Sequence, residues 1–304
     1  SYTPGEVSVQ IIKDWEDNNN QDNIRPTEIT VVLKNRINVF YAKEVTLKAS
    51  ENWSATVSGL PEYTQGAKNQ YYWTEESLPA GYELAGTSTN GFVTTITNRH
   101  TPVKVSATVK KIWDDAENQD GIRPQAITVD LLKKNGTTSI VAGTVTLDQT
   151  NDWTATINNL DKFTAGVENE YTWSEHTEGW PEGYRLSSKV TEGSITTLTN
   201  SYTPKTVDVS VHKIWDDAEN QDGKRPGSVK VVLKKTNDKG TEIVRTVILN
   251  EDNQWTCEIT GLPEYTNQQK NTYTWTEDET GLPEGYTLTN IETVGNLTTI
   301  TNSY

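Results

Sequence analysis

Three stretches of this chain alternate apolar and polar residues with a strict period of two. The apolar rows read Val7, Val9, Ile11, Lys13, Trp15, then Val105, Ala107, Val109, Lys111, Trp113, then Val207, Val209, Val211, Lys213, Trp215. Side chains alternate faces along a strand, so each row lies on one face. Further short runs of Val, Ile, Thr, Tyr and Trp, bounded by Gly, Pro, Asn and Asp, predict strands throughout. No long stretch has helical spacing. Each opening row carries a lysine among core-facing residues, which is costly unless its charge is paired or consumed.

The rows recur because the chain repeats with a period of about a hundred residues. "WDDAENQDGIRP" from Trp113 returns as "WDDAENQDGKRP" from Trp215 and more loosely as "WEDNNNQDNIRP" from Trp15. "NWSATVSGLPEYT", "DWTATINNLDKFT" and "QWTCEITGLPEYT" align on Trp53, Trp153 and Trp255. A period of this length is domain size, so the expectation is three domains, 1–101, 102–203 and 204–304. About seven strands per repeat predict an all-β chain of three tandem Greek-key β-sandwiches. The junctions, residues 99–104 and 201–206, hold Pro102 and Pro204, which favour an extended linker. The opening "SYTP", the closing "TNSY" and the absence of Met suggest a segment of a longer array.

Two more polar residues stand on otherwise apolar faces in every repeat. The aromatic strands give Tyr71, Trp73, Glu75, then Tyr171, Trp173, Glu175, then Tyr273, Trp275, Glu277. The last strands give Ile96, Asn98, His100, then Leu198, Asn200, Tyr202, then Ile300, Asn302, Tyr304. One reading is a buried Lys–Glu ion pair bridged by Asn. The other is chemical. Burial lowers a lysine pKa and raises a glutamate pKa. A neutral amine is a nucleophile, and a protonated carboxyl can polarise the Asn carboxamide. Attack then expels ammonia and leaves an amide crosslink, with contact supplying the effective concentration. The residues alone leave both readings open.

The motifs "KIWDDAENQDGIRP" from Lys111, "YTWSE" ending at Glu175 and "TNSYTP" from Thr199 resemble the B-type domains of Cna-like collagen adhesins and pilin shafts of Gram-positive bacteria. The resemblance covers nearly the whole chain. It implies an inverse immunoglobulin, prealbumin-like sandwich with a spontaneous Lys–Asn isopeptide bond between first and last strands, promoted by a buried acid. The implied sets are Lys13, Glu75, Asn98; Lys111, Glu175, Asn200; and Lys213, Glu277, Asn302. The first repeat departs most, with Asp14 where Ile112 and Ile214 stand and Arg99-His100 where the others have Ser-Tyr. The implied role is a stalk segment on the bacterial cell surface, anchored to the wall through other parts. Its partners would be neighbouring repeats, with a host matrix ligand bound through other domains. A directly adhesive module, binding matrix protein or glycan, is the alternative.

Composition narrows the classes. The net charge is −15 with a pI near 4.7, spread over the repeats, which disfavours nucleic acid and anionic membranes as partners. No apolar run approaches membrane-spanning length. Cys257 is the one cysteine, so no intrachain disulfide can form, and it falls on a core row as an inert buried thiol. The three histidines, His100, His176 and His212, never occupy equivalent positions throughout, which disfavours turnover catalysis. "DAENQDG" from Asp115 superficially looks like a calcium loop, yet its spacing places Ala116 where a ligand belongs. A solvated turn, with Arg123 or Arg225 fixed by the local aspartates, is the expectation; no cofactor or metal is expected. Trp180 alone among the tryptophans lacks a counterpart. Asn52, Asn135 and Asn296 open incidental glycosylation sequons.

Overall fold

The computed structural model describes residues 5–304; the opening "SYTP" lies outside them. The described residues form twenty-seven strands, joined by turns and three short 3-10 turns. Each repeat therefore has nine strands rather than about seven. The surplus includes a hairpin of two-residue strands, such as Tyr63–Thr64 with Ala67–Lys68, too short to show as alternation.

In the first repeat a four-stranded sheet runs Ser54–Pro61, Glu6–Glu16, Val93–Arg99, Glu83–Asn90. The opening strand is antiparallel to Ser54–Pro61 and parallel to Val93–Arg99. A three-stranded sheet runs Ala42–Lys48, Glu28–Asn35, Tyr71–Thr74. The same strand orders recur in the second and third repeats. The predicted alternation is met. Ile11, Val31, Leu33 and Leu47 are fully buried in the first core, as are Val211, Val231, Leu233 and Leu249 in the third. The chain is an all-β protein of the sandwich class.

The chain divides into two compact units. One comprises residues 1–108, 129–145 and 156–174, and the other 109–128, 146–155 and 175–304. The first unit holds all of the first repeat, the second all of the third, and the second repeat contributes to both.

Register fixes what meets in the core. Lys13 pairs with Ile96 and Trp15 with Asn98; Lys213 pairs with Ile300 and Trp215 with Asn302. Lysine and asparagine are thus diagonal neighbours on adjacent parallel strands, on the same face. Parallel pairing needs a long crossover, so the first and last strands of a repeat become neighbours across almost its whole length.

A lysine, glutamate and asparagine buried three times over

The structure brings the first and third predicted sets together; in the second it joins Lys111 to Glu175 and buries the Asn200 carboxamide without a hydrogen-bond partner. Lys13, Lys111 and Lys213 are buried at 3%, 3% and 2% exposure, and Asn98, Asn200 and Asn302 at 0%. Lysine and asparagine come from the four-stranded sheet. Glu75 follows the strand Tyr71–Thr74, while Glu175 and Glu277 end the equivalent strands Glu170–Glu175 and Thr272–Glu277. The Lys Nζ to Glu carboxylate distances are 3.3, 3.5 and 3.7 Å in chain order. Asn98 Nδ2 donates to Glu75 Oε1 at 2.9 Å, and Asn302 Nδ2 to Glu277 Oε1 at 3.1 Å.

The amine is also tied to the strand that bears its asparagine. Lys13 Nζ donates to the Ile96 carbonyl at 3.2 Å, Lys111 Nζ to Leu198 at 3.2 Å and Lys213 Nζ to Ile300 at 3.3 Å. Each acceptor lies two residues before the asparagine. The lysine backbone is held as well. Its N–H donates to the carbonyl of Trp53, Trp153 or Trp255 at 2.8, 2.8 and 2.9 Å. Those three tryptophans all adopt left-handed backbone, with φ of 57°, 55° and 59°. A bulky residue rarely pays that strain, and its threefold recurrence marks a constrained site. Their rings stack edge-on against Trp15, Trp113 and Trp215 at 5.0, 5.2 and 5.2 Å. These latter rings in turn lie 4.8, 4.3 and 4.6 Å from the lysine Nζ.

Burial lowers the Lys111 and Lys213 pKa values to about 8, although Glu175 and Glu277 pull them upward. Lys13 is lowered as well, against the pull of Glu75 and of Asp14. Glu277 is raised, by burial first, despite Lys213 and Asn302. Both members of the third pair therefore move toward neutrality, as nucleophile and acid require. The geometry is loose for an ion pair. Charge-assisted N–H···O bonds favour about 2.7–2.9 Å, and a dry ion pair offsets its desolvation only with good geometry. Asn98 Oδ1, Asn200 Oδ1 and Asn302 Oδ1 are buried without a donor. A half-turn of the Asn302 carboxamide brings Oδ1 to the position now held by Nδ2, where a protonated Glu277 would donate to it.

The first repeat's departures do not open its site. Asp14 is exposed, as are Ile112 and Ile214 in the same position, so this residue faces away from the core. Lys110 is exposed, as its parity requires. Cys257 is a correction: it is half-buried, since its strand Thr256–Pro263 is at the edge of its sheet, though burial still raises its thiol pKa. Trp180 packs its ring against Trp113 at 5.8 Å.

Beside each site lies a clamp that sequence reasoning caught only in part. Arg25 grips Asp17 with Nε at 2.8 Å and Nη2 at 2.5 Å, and the same fork joins Arg123 to Asp115 and Arg225 to Asp217. The missed member is a tyrosine. Tyr82, Tyr184 and Tyr286 donate their hydroxyls to these aspartates at 2.7, 2.8 and 2.7 Å. Burial opposes ionisation of Asp17, but Arg25 and Tyr82 outweigh it and hold the carboxyl at about 2. A Gly-Tyr pair recurs at Gly81-Tyr82, Gly183-Tyr184 and Gly285-Tyr286, which marks the position but not its partner. This clamp occupies Asp115, the first carboxylate of the calcium-like motif. Among the described residues no group of three or more His, Cys, Asp or Glu is placed to hold a metal ion.

Comparison with known proteins bears on the family and the fold. The family described as Cna protein B-type domain matches residues 9–99, 107–201 and 209–303. A collagen adhesin of Staphylococcus aureus is 38% identical over the whole chain, which spans 24% of that protein's length. The crystal structure of two B repeat units of the collagen binding protein of S. aureus is 36% identical, with a TM-score of 0.52. The match covers 100% of this chain and 76% of that one. A single B repeat unit of the same protein is 35% identical, with a TM-score of 0.29, over 66% of this chain and 99% of that one.

Proposed function

The chain belongs to the Cna protein B-type domain family three times over, and from that premise we propose that it is a load-bearing stalk segment of a bacterial surface adhesin, with each repeat closed by its own amide bond. The observation that carries this reading is the threefold burial of a lysine and an asparagine on adjacent first and last strands, with a glutamate in or just after a strand of the three-stranded sheet 3.3, 3.5 and 3.7 Å from the lysine Nζ in chain order. In each repeat neutral Nζ attacks the asparagine Cγ, the Nζ–Cγ bond forms and the Cγ–Nδ2 bond breaks. The amine's proton passes through the glutamate to Nδ2, which leaves as ammonia. Lys13 joins Asn98, Lys111 joins Asn200 and Lys213 joins Asn302, with Glu75, Glu175 and Glu277 as the proton carriers. The event occurs once per site, so the protein turns over no substrate.

The bond would serve mechanics. Tension entering at the first strand of a repeat crosses one covalent amide to the last strand, and the residues between carry no load. Three domains with boundaries at 1–101, 102–203 and 204–304 fit this scheme, since each holds one complete set. The setting is the extracellular surface, where the family's adhesins act, with wall anchoring and any matrix ligand supplied by other parts of a longer protein. A direct adhesive role for this segment finds no specific support. Its unmatched Trp180 is packed against Trp113 rather than displayed as a platform.

Single-molecule pulling tests the role. A chain held at its two ends should reach bond-breaking forces without unfolding steps. A chain with Asn98, Asn200 and Asn302 all changed to Ala should show three steps of roughly 300 Å, the extended length of about ninety released residues. Such steps in the unmodified chain would refute the load-bearing role.

A further inference from the structure

His100 breaks the symmetry of the two junctions. In the second unit, Asp120 Oδ2 accepts the Tyr202 hydroxyl at 2.8 Å and the Lys205 backbone N–H at 2.9 Å. In the first unit, Asp22 Oδ2 accepts the Val103 backbone N–H at 2.7 Å, and His100 Nε2 stands where the tyrosine hydroxyl would be, at 2.9 Å. Both aspartates are buried loop residues that catch the linker just after a proline. The adjoining loop carbonyls are used alike: Gln21 O receives the Gly166 N–H and Gln119 O the Gln268 N–H, both at 2.9 Å. One joint is thus built twice, with a hydroxyl in one copy and an imidazole in the other.

The imidazole is hemmed by acceptors on both sides. His100 Nδ1 lies 2.8 Å from the Gly81 carbonyl, which only accepts. Nε2 faces an Asp22 oxygen that already receives the Val103 N–H. A neutral imidazole has one donor and one acceptor nitrogen, so it satisfies one contact and sets a lone pair against oxygen at the other. The imidazolium satisfies both. Other charges nearby are committed: Asp17 to Arg25 and Tyr82, Arg99 to Glu16, and Lys104 to Asp161. The Tyr82 ring packs on the imidazole at 5.5 Å.

We propose that the first junction is a pH-sensitive joint, locked by the His100 imidazolium between Asp22 and Gly81 and loosened when His100 loses its proton, whereas the Tyr202 junction holds across the same range. Burial lowers the His100 pKa, but Asp22 and the Gly81 carbonyl outweigh it and the net direction is upward. A raised pKa means that the locked state binds the proton more tightly than the loosened one. The stabilisation is therefore complete below the ordinary histidine value, about 6.5, and is lost as pH rises through the raised one. The Tyr202 hydroxyl, pushed up to about 12, stays protonated throughout.

Backbone amide NMR on the intact chain tests this, with the His100 ring titrated alongside and its signal identified by its absence in His100→Gln. The His100 titration midpoint should lie above the ordinary histidine value, about 6.5. Protection of the Val103 amide, corrected for intrinsic exchange, should fall severalfold from about pH 5.5 to about pH 8.5, while that of Lys205 stays constant. In His100→Tyr the Val103 change should vanish. A His100 midpoint at or below the ordinary value would overturn the proposal. So would Val103 protection that is flat with pH in the unmodified chain, or that still falls in His100→Tyr.

Discussion

At the residue scale the decisive fact is a polar side chain in the wrong place, three times. Lys111 is buried among apolar neighbours, and its pKa falls to about 8 because burial outweighs Glu175. Changing Asn200 to Ala removes the acceptor carbon and leaves a free amine to titrate. Such a lysine binds fewer protons folded than unfolded between about pH 8 and its ordinary value of 10.5. Stability of the second repeat in Asn200→Ala should therefore rise with pH across that window, as chemical denaturation at several pH values would show. The unmodified chain, with its lysine acylated as proposed, should lack this rise. The triad was legible because period-two alternation assigns faces without knowledge of the fold, and Lys, Glu and Asn stand out on apolar faces. The burial of Cys257 was misjudged for a related reason. Parity gives the face but not whether the strand lies at the edge of its sheet.

At the element scale the loop after each opening strand is held by the aspartate fork. Arg225 and then Tyr286, against the cost of burial, hold the Asp217 carboxyl well below the usual range. Tyr286→Phe removes one hydrogen bond to a charged acceptor and should destabilise the third repeat by about 1.5 kcal/mol, measurable by calorimetry. The Arg–Asp half of this clamp was legible, because the two lie eight residues apart within one recurring block. The tyrosine was not, because it arrives from 69 residues further along, a separation that only folding closes. The hairpins were missed because two-residue strands have no period to detect. The strained backbone at Trp53, Trp153 and Trp255 left no mark in composition, since tryptophan does not favour left-handed φ.

At the scale of the whole molecule the repeats were legible from spacing, and so was the all-β class. The chain's compact units cut across the second repeat, which no sequence landmark foreshadows. Each proposed amide closes a loop of roughly ninety residues, and loop entropy alone would stabilise a repeat by about 4–5 kcal/mol. The mechanical consequence is larger than that energy, because the proposed covalent bond would join the two central strands of the four-stranded sheet in the path of tension. The whole account rests on three condensations, and intact mass counts them. The purified chain should weigh less than its sequence by one ammonia per repeat, three in all. Glu175→Ala should regain one of the three and lower the melting temperature of the second repeat alone. A mass equal to the unmodified sequence would contradict the account, leaving three buried ion pairs in ordinary sandwiches.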